Sequence, residues 1–141
     1  MDLLNTIKPI IVNIVDERTE HFIGIALRDD NSPIMDYTIS IGAENQAYVG
    51  ASPAFCGAVK YGANRVVFAH NHPIMVPYPS EADRLMSDKL FVAGKILEIE
   101  VLDFIIVCRM GKTKINFYSF AEKGYLSINK SLVREIFDIR G

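Results

Sequence analysis

The stretch at residues 65–83 constrains this chain more than any other, because it reads as a strand, a loop and a helix in direct succession. The apolar run at residues 65–70 is typical of a short buried strand, and the prolines within residues 73–79 disfavour regular structure there. Ser80 is a favourable helix N-cap, and the pattern that follows predicts a helix to about Ile96. The sequence therefore predicts a buried strand that leads into a capped helix through a proline-rich loop.

Strand and helix patterns alternate along the rest of the chain. Residues 7–15 have the spacing of an amphipathic helix, although their isoleucine and valine content is also compatible with a strand. Further apolar runs predict strands at residues 21–28, 34–41, 101–108 and 114–120, and helices at residues 52–62 and 131–139. Interleaved elements of this kind are typical of an α/β sandwich with a mixed sheet and helices packed on it. We expect residues 1–141 to form a single domain.

Helix boundaries and core positions also follow from the sequence. Ser52-Pro53 has the pattern of an N-cap and first helical residue. Both cysteines, Cys56 and Cys108, are expected to be buried free thiols in a reducing compartment. The apolar residues of the helix after Ser80 are its candidate core positions, namely Leu85, Leu90, Phe91 and Leu97.

The composition bounds the class of partner and the location of the protein. The formal net charge is −2, whereas a module that coats nucleic acid is usually basic, so direct nucleic-acid binding is not favoured. The first residues lack the basic segment of a signal peptide, and no apolar run reaches the length of a membrane span. A cytoplasmic protein with no membrane segment is therefore expected.

His70 and His72 lie at the end of the strand predicted at residues 65–70. Because side chains alternate along a strand, both imidazoles point to the same face and can converge on one ion. Asp83 adds a carboxylate from the first turn of the next helix, and zinc accepts this ligand set at about 2.0–2.1 Å. Three protein ligands leave a position for water, which is typical of a catalytic zinc site. A structural alternative is that Ser80 and Asp83 form a helix capping box.

The joint pattern is more specific than its parts. His70-Asn71-His72-Pro73 is followed, after six residues, by Ser80 and Asp83, and this resembles the H-x-H-P-x6-S-x-x-D signature of the JAMM (MPN-type) zinc metalloproteases. Within that superfamily the chain is most similar to the RadC family of bacteria. The similarity covers about residues 20–126 and includes stretches at residues 20–22, 93–95, 99–103 and 118–124.

The resemblance implies a fold and a set of metal ligands. The fold would be the JAMM/cytidine-deaminase-like α-β-α sandwich, in which helices flank a mixed β-sheet. One Zn²⁺ per chain would be held by the side chains of the signature, His70, His72 and Asp83. His21, the remaining histidine, is predicted to pack at the start of a strand and not to serve as a fourth ligand.

The same resemblance implies the catalytic groups. Ser80 would sit beside the metal-bound water and help to hold the tetrahedral intermediate. Enzymes of this superfamily also use a glutamate far upstream of the histidines as general acid/base, and Glu20 is the candidate because it precedes a predicted strand. Glu17 and Glu44 are alternatives, and a solvated Glu20 without a catalytic role is the structural interpretation.

The function that follows from the resemblance is metal-assisted hydrolysis. A zinc-activated water would cleave a peptide or isopeptide amide bond in a peptide or protein substrate. The family name is associated with DNA repair, although no residue pattern in this chain points to that role. Two alternatives stay open: a non-catalytic interaction module with the JAMM fold, and a metal-dependent nuclease of DNA metabolism, which the acidic composition disfavours.

The chain departs from the family pattern after His72-Pro73. The family usually has Ser-Gly-Asp there, whereas this chain has Ile74-Met75-Val76, an apolar loop suited to narrow the site, to form a substrate pocket or to dock against another chain. With about 19 residues before Glu20, the chain is expected to lack the N-terminal helix-hairpin-helix region of the family, and with it any DNA contact made there. The apolar side chains of residues 132–137 are suited to pair with a second copy, so the sequence leaves both a monomer and a homodimer open.

Overall fold

A computed structural model describes residues 2–42 and 49–128 of the chain. The helices are α1 (Leu3–Ile11), which continues into a 3-10 turn at Val12–Ile14, α2 (Ala51–Lys60) and α3 (Glu81–Leu97). The strands are β1 (His21–Leu27), β2 (Pro33–Ile41), β3 (Arg65–Asn71), β4 (Glu100–Arg109) and β5 (Ile115–Ser119). None of the helices in these ranges is long and apolar enough to span a membrane. The helix predicted at residues 131–139, the tail at 132–137 and Glu44 lie outside the described residues.

The five described strands form one mixed sheet in the order β2-β1-β3-β4-β5. β1 is antiparallel to both β2 and β3, and β5 is antiparallel to β4. β3 and β4 run parallel, and such a pair needs a crossover connection, which α3 provides. The chain therefore leaves the end of β3, passes through the proline-rich loop and enters α3 on one face of the sheet.

Apolar side chains alternate between the two faces of the sheet because successive residues of a strand point in opposite directions. The face covered by α2 and α3 carries Phe22, Phe68 and Phe104. The opposite face, covered by α1 and the 3-10 turn, carries Ile25, Val67 and Ile105. Helices on both faces of a mixed sheet confirm the predicted α/β sandwich.

The segment at residues 7–15 is helical and not extended. Its apolar residues recur on one side, and Ile7 and Ile11 are fully buried against the sheet. Asp2 caps the helix, since its side chain accepts a hydrogen bond of 3.1 Å from the Leu4 amide. Because α1 begins at Leu3, Pro9 lies in its interior and not in its first turn.

The predicted start of α2 and the predicted burial of one cysteine were wrong. Gly50 is the N-cap of α2, and its carbonyl accepts the Ala54 amide at 3.2 Å. Ser52-Pro53 therefore lies within the first turn, where the missing N–H of proline costs no intrahelical hydrogen bond. Cys56 is exposed because it lies on the outer side of the helix, while Cys108 is buried as expected.

The core side of α3 differs in part from the predicted one. Leu90 is buried, but Leu85 and Leu97 are 36% and 47% exposed. The side chains that pack in the core are Met86, Leu90 and Ala93, spaced four and three residues apart. That spacing forms a single stripe along a helix, and the sheet lies against this stripe.

Gly94 allows α3 to pack closely against the turn that leads into β4. A Cβ added at Gly94 would lie 2.5 Å from the Ile99 carbonyl oxygen and 2.9 Å from Val101 Cγ2. The Gly94 carbonyl also accepts the Ile99 amide at 3.0 Å, which ties the two backbone segments together. A side chain at position 94 therefore meets backbone that cannot easily move.

Gly94→Ala is expected to lower the free energy of unfolding by about 1–3 kcal/mol, because the methyl group collides with a backbone oxygen. This cost exceeds the roughly 1 kcal/mol that alanine gains in helix propensity. Gly111→Ala is the matched control, since a Cβ there meets nothing within 4 Å, and its effect should stay within about 0.5 kcal/mol. Denaturant unfolding followed by circular dichroism measures both, and equal stabilities would contradict the packing argument.

Candidate metal centre

The end of β3 brings two histidine rings together. His70 lies within the strand and His72 directly follows it, with the ring centroids 5.0 Å apart. His70 is completely buried, and its ring centroid lies 5.7 Å from that of Phe104 and 6.2 Å from that of Phe22. The His72 amide donates to the Val107 carbonyl at 3.0 Å, which extends the pairing with β4 beyond the strand. Core packing and sheet pairing therefore hold both rings in place.

Asp83 reaches both rings from the first turn of α3. Its Oδ1 lies 3.0 Å from His70 Nε2, and its Oδ2 lies 3.0 Å from His72 Nε2. Asp83 also forms a capping box with Ser80: Oδ2 accepts the Ser80 amide at 2.8 Å, while Ser80 Oγ accepts the Asp83 amide at 3.0 Å. The capping box and the convergence on the histidines are thus both present and share one carboxylate.

The outer nitrogen of each ring faces a backbone carbonyl. His72 Nδ1 lies 2.7 Å from the Val76 oxygen, and His70 Nδ1 lies 3.3 Å from the Asn71 oxygen. A carbonyl accepts, so each Nδ1 is assigned the proton and donates it. With Nδ1 donating, Nε2 is the ring nitrogen that faces Asp83 and is left to bind a metal ion once its proton is displaced. Backbone carbonyls that accept a hydrogen bond from the outer ring nitrogen commonly orient histidines that bind a metal through the other nitrogen.

The surroundings of the cluster favour the charged forms of both Asp83 and His72. Burial tends to raise the pKa of Asp83, but the two histidine rings and the Ser80 amide hold it well below its usual range. Burial tends to lower the pKa of His72, but hydrogen bonds with Asp83 and the Val76 carbonyl, and the charges of Asp83 and Glu20, raise it overall. A metal ion would take the place of the proton on Nε2, because ligating imidazoles must be deprotonated.

Glu20 approaches the histidines from the residue that precedes β1. Its carboxylate and the nitrogens of His70 and His72 offer ligand atoms that all lie within 4.8 Å of one another. The side chain of Glu17, the alternative candidate, lies instead 3.8 Å from His21 Nε2 and is outside this cluster. His21 therefore sits at the start of the strand beside Glu17, as predicted.

The donor set fits a zinc ion. His70 Nε2 is buried and has no hydrogen-bond partner among the described residues, although a carboxylate oxygen of Asp83 lies 3.0 Å away outside hydrogen-bonding geometry. A buried polar atom without a partner is costly, and a cation would satisfy it. Imidazole nitrogens combined with a carboxylate oxygen are ligands that zinc accepts. Glu20, His70 and His72 can hold a metal ion, and Asp83, 3.0 Å from both rings, is a second carboxylate that can take the place of Glu20 as the third ligand.

A cleft lies beside the candidate centre and is bordered by both polar and apolar residues. A cavity of about 330 Å³ is bordered by Glu20, His72 and Ser80 on its polar side. Ile74 and Tyr78 form part of its apolar side, and both side chains are exposed. Ile74 and Val76, from the apolar loop at residues 74–76, both border the cleft.

One structurally important residue of the site was not identified from the sequence. Asn71, between the two histidines, is fully buried on the face opposite to His70. Its side chain accepts a hydrogen bond from the His21 amide and donates to the carbonyls of Glu17 and Thr19. The available signal was an amide side chain at the end of the strand that begins with the apolar run at residues 66–69, since a buried amide requires partners.

Comparison with known proteins identifies the family to which the chain belongs. Residues 3–125 match the profile of the family described as "RadC-like JAB domain". The UPF0758 protein of Chlorobium chlorochromatii (strain CaD3) is 35% identical over 113 residues, which are 80% of this chain and 49% of that protein. The UPF0758 protein of Pelobacter propionicus is 39% identical over 111 residues, 79% of this chain and 46% of that protein. The chain thus spans about half the length of the curated relatives it matches, and it belongs to the RadC-like JAB domain family.

Proposed function

We propose that this domain is a zinc-dependent hydrolase that cleaves a peptide or isopeptide amide bond. The observation that carries the proposal is the convergence of Asp83 on His70 and His72, with the Glu20 carboxylate within 4.8 Å of nitrogens of both rings. Nitrogen and oxygen donors from three residues leave room in a zinc coordination sphere for water. Glu20 and Ser80 border the cleft where a substrate would enter.

Each residue of the site has a distinct task in this proposal. His70, His72 and Asp83 would hold the zinc ion, which when bound lowers the pKa of a water molecule and polarises a carbonyl group. Glu20 accepts a proton from the attacking water and delivers it to the leaving amine. Ser80 Oγ accepts the Asp83 amide, so its hydroxyl hydrogen is free to point toward the cleft and donate to a developing oxyanion.

The cleft favours a substrate with apolar groups near the scissile amide. Ile74, Met75 and Tyr78 are exposed in the loop beside the site, and exposed apolar side chains that cluster mark binding surfaces. The same surface supports a second candidate function, a non-catalytic module that binds a protein partner. The two functions differ in their need for zinc, so the metal content of the protein separates them.

The first prediction concerns the metal. Protein purified without chelator is expected to contain one zinc per chain, and His72→Ala is expected to lose most of it, because two of three ligands rarely suffice for tight binding. His21→Ala is the matched control, since His21 lies beside Glu17 and should leave the zinc content unchanged. Elemental analysis by mass spectrometry measures all three proteins. Wild-type protein free of zinc would exclude the enzyme and favour the binding module.

The second prediction concerns the glutamate. Glu20→Gln is expected to retain zinc and to lose about 10²–10⁴-fold in turnover, because the amide cannot accept a proton. Glu17→Gln is the matched control, and it should retain nearly full turnover. The measurement is cleavage of an internally quenched peptide library and of synthetic lysine-linked isopeptides. Turnover of Glu20→Gln equal to that of the wild type would remove Glu20 from the mechanism.

The third prediction concerns the apolar loop. Ile74→Ser is expected to raise KM about fivefold for peptides with an apolar side chain next to the scissile bond, with kcat nearly unchanged, because about 1 kcal/mol of apolar contact is lost. Ile96→Ser is the matched control: the two isoleucines are 69% and 65% exposed, but Ile96 lies on α3 and does not border the cleft. An equal effect of both substitutions would show that the loop does not select the substrate.

A further inference from the structure

The side chain of Asn71 continues the pairing between β1 and β3 beyond the point where backbone pairing ends. The regular register of these antiparallel strands ends at the pair Phe22 and His70. At the next position the His21 amide donates to Asn71 Oδ1 at 2.6 Å, so a side-chain oxygen takes the place of a backbone carbonyl. Asn71 is completely buried and His21 is half-buried, so this hydrogen bond lies at the edge of the protein interior.

The other end of the same amide holds the chain before β1. Asn71 Nδ2 donates to the Thr19 carbonyl at 3.1 Å and to the Glu17 carbonyl at 3.2 Å. Three backbone groups at residues 17, 19 and 21 are therefore tied to one side chain, and they lie on both sides of Glu20. From the other edge of β1, the Gly42 amide donates to the Glu20 carbonyl at 2.7 Å.

Asparagine is well suited to these contacts. Its amide group supplies two N–H donors and a carbonyl acceptor, and all three are used. Aspartate would keep the acceptor for His21 but would place a charged oxygen against two carbonyl oxygens. Serine is shorter and has a single donor. The loss of this amide would remove the partner that three backbone groups of residues 17–21 share, so the segment would no longer be held against the end of β3.

We propose that Asn71 is a positioning residue, which holds residues 17–21 so that the Glu20 carboxylate stays beside His70 and His72. The two histidines and Asn71 are consecutive residues of one strand end, and strand alternation sends Asn71 to the opposite face. The strand that orients the rings thus also fixes the segment that carries the glutamate. The effect on turnover rests on the proposed function, whereas the anchoring of the segment does not.

The anchoring is tested by amide-resolved hydrogen exchange on the zinc-loaded protein. In Asn71→Ala the His21 amide, which loses its acceptor, is expected to exchange at least about tenfold faster, while amides of β4 keep their rates. Asn71→Asp preserves the volume of the side chain and takes the place of Asn71→Ala if that variant does not fold. Because aspartate cannot donate to the Glu17 and Thr19 carbonyls, this variant should release the backbone at these two residues. Unchanged exchange across residues 17–21 in the folded variants would overturn the proposal.

Ser119→Ala is the matched control for loss of a buried hydrogen bond. Ser119 donates to Asp103 within the sheet and makes no contact with residues 17–21 among the described interactions. This variant should lower global stability without a selective acceleration at His21. Selective acceleration in Ser119→Ala as well would show that any weakening of the sheet releases the segment, which would overturn the specific role of Asn71.

Turnover then tests the link to Glu20, with peptides that the wild type cleaves. Asn71→Ala is expected to keep its zinc and to lose about 10²-fold in kcat/KM, since a displaced catalytic group is costly. The double variant with Glu20→Gln should be no slower than Glu20→Gln alone, because Asn71 acts through Glu20. Loss of zinc, or an additive double variant, would overturn the proposal. If the wild type cleaves nothing, the proposed function fails, and exchange at His21 still decides whether Asn71 anchors the segment.

Discussion

The carboxylate of Asp83 is the point at which the fold and the candidate metal centre depend on each other. One oxygen accepts the Ser80 amide and so helps to fix where α3 begins, while the two oxygens lie 3.0 Å from the rings of His70 and His72. Because the carboxylate comes from the first turn, the position of the helix start determines the position of a ligand. The structural and the metal-binding interpretations of the motif describe the same interaction.

The candidate metal centre has two parts, the histidines on the sheet and the exposed loop that borders the cleft. The histidines stand on a strand inside the sheet, and His70 is packed between phenylalanine rings of the core. The loop from Pro73 to Pro79 is exposed and borders the cleft with apolar side chains. In the proposed function, the metal ligands are held at the sheet, whereas contacts to the substrate come from a loop that is not part of the core.

Most of the fold could be predicted because its signals are local. The capping pattern at Ser80 located the start of α3, and apolar runs located all five described strands. The errors arose where a local pattern was outweighed by packing. Ser52-Pro53 resembled a helix start, yet Gly50 caps α2, and Leu97 carries an apolar side chain at a position that the sheet does not cover. Which face of a helix is buried depends on the partner surface, and the helix sequence contains that information only in part.

The sequence by itself determined that two histidines share one face of a strand end and that a carboxylate follows in a capped first turn, because alternation and capping act over a few residues. The tertiary structure decided which distant groups join them. Glu20 approaches the rings while Glu17 turns to His21, and Asn71 ties residues 17–21 to β3 across the sheet. The contacts of Glu20 and of Asn71 join residues about fifty positions apart, so they arise from strand pairing, which no local pattern specifies.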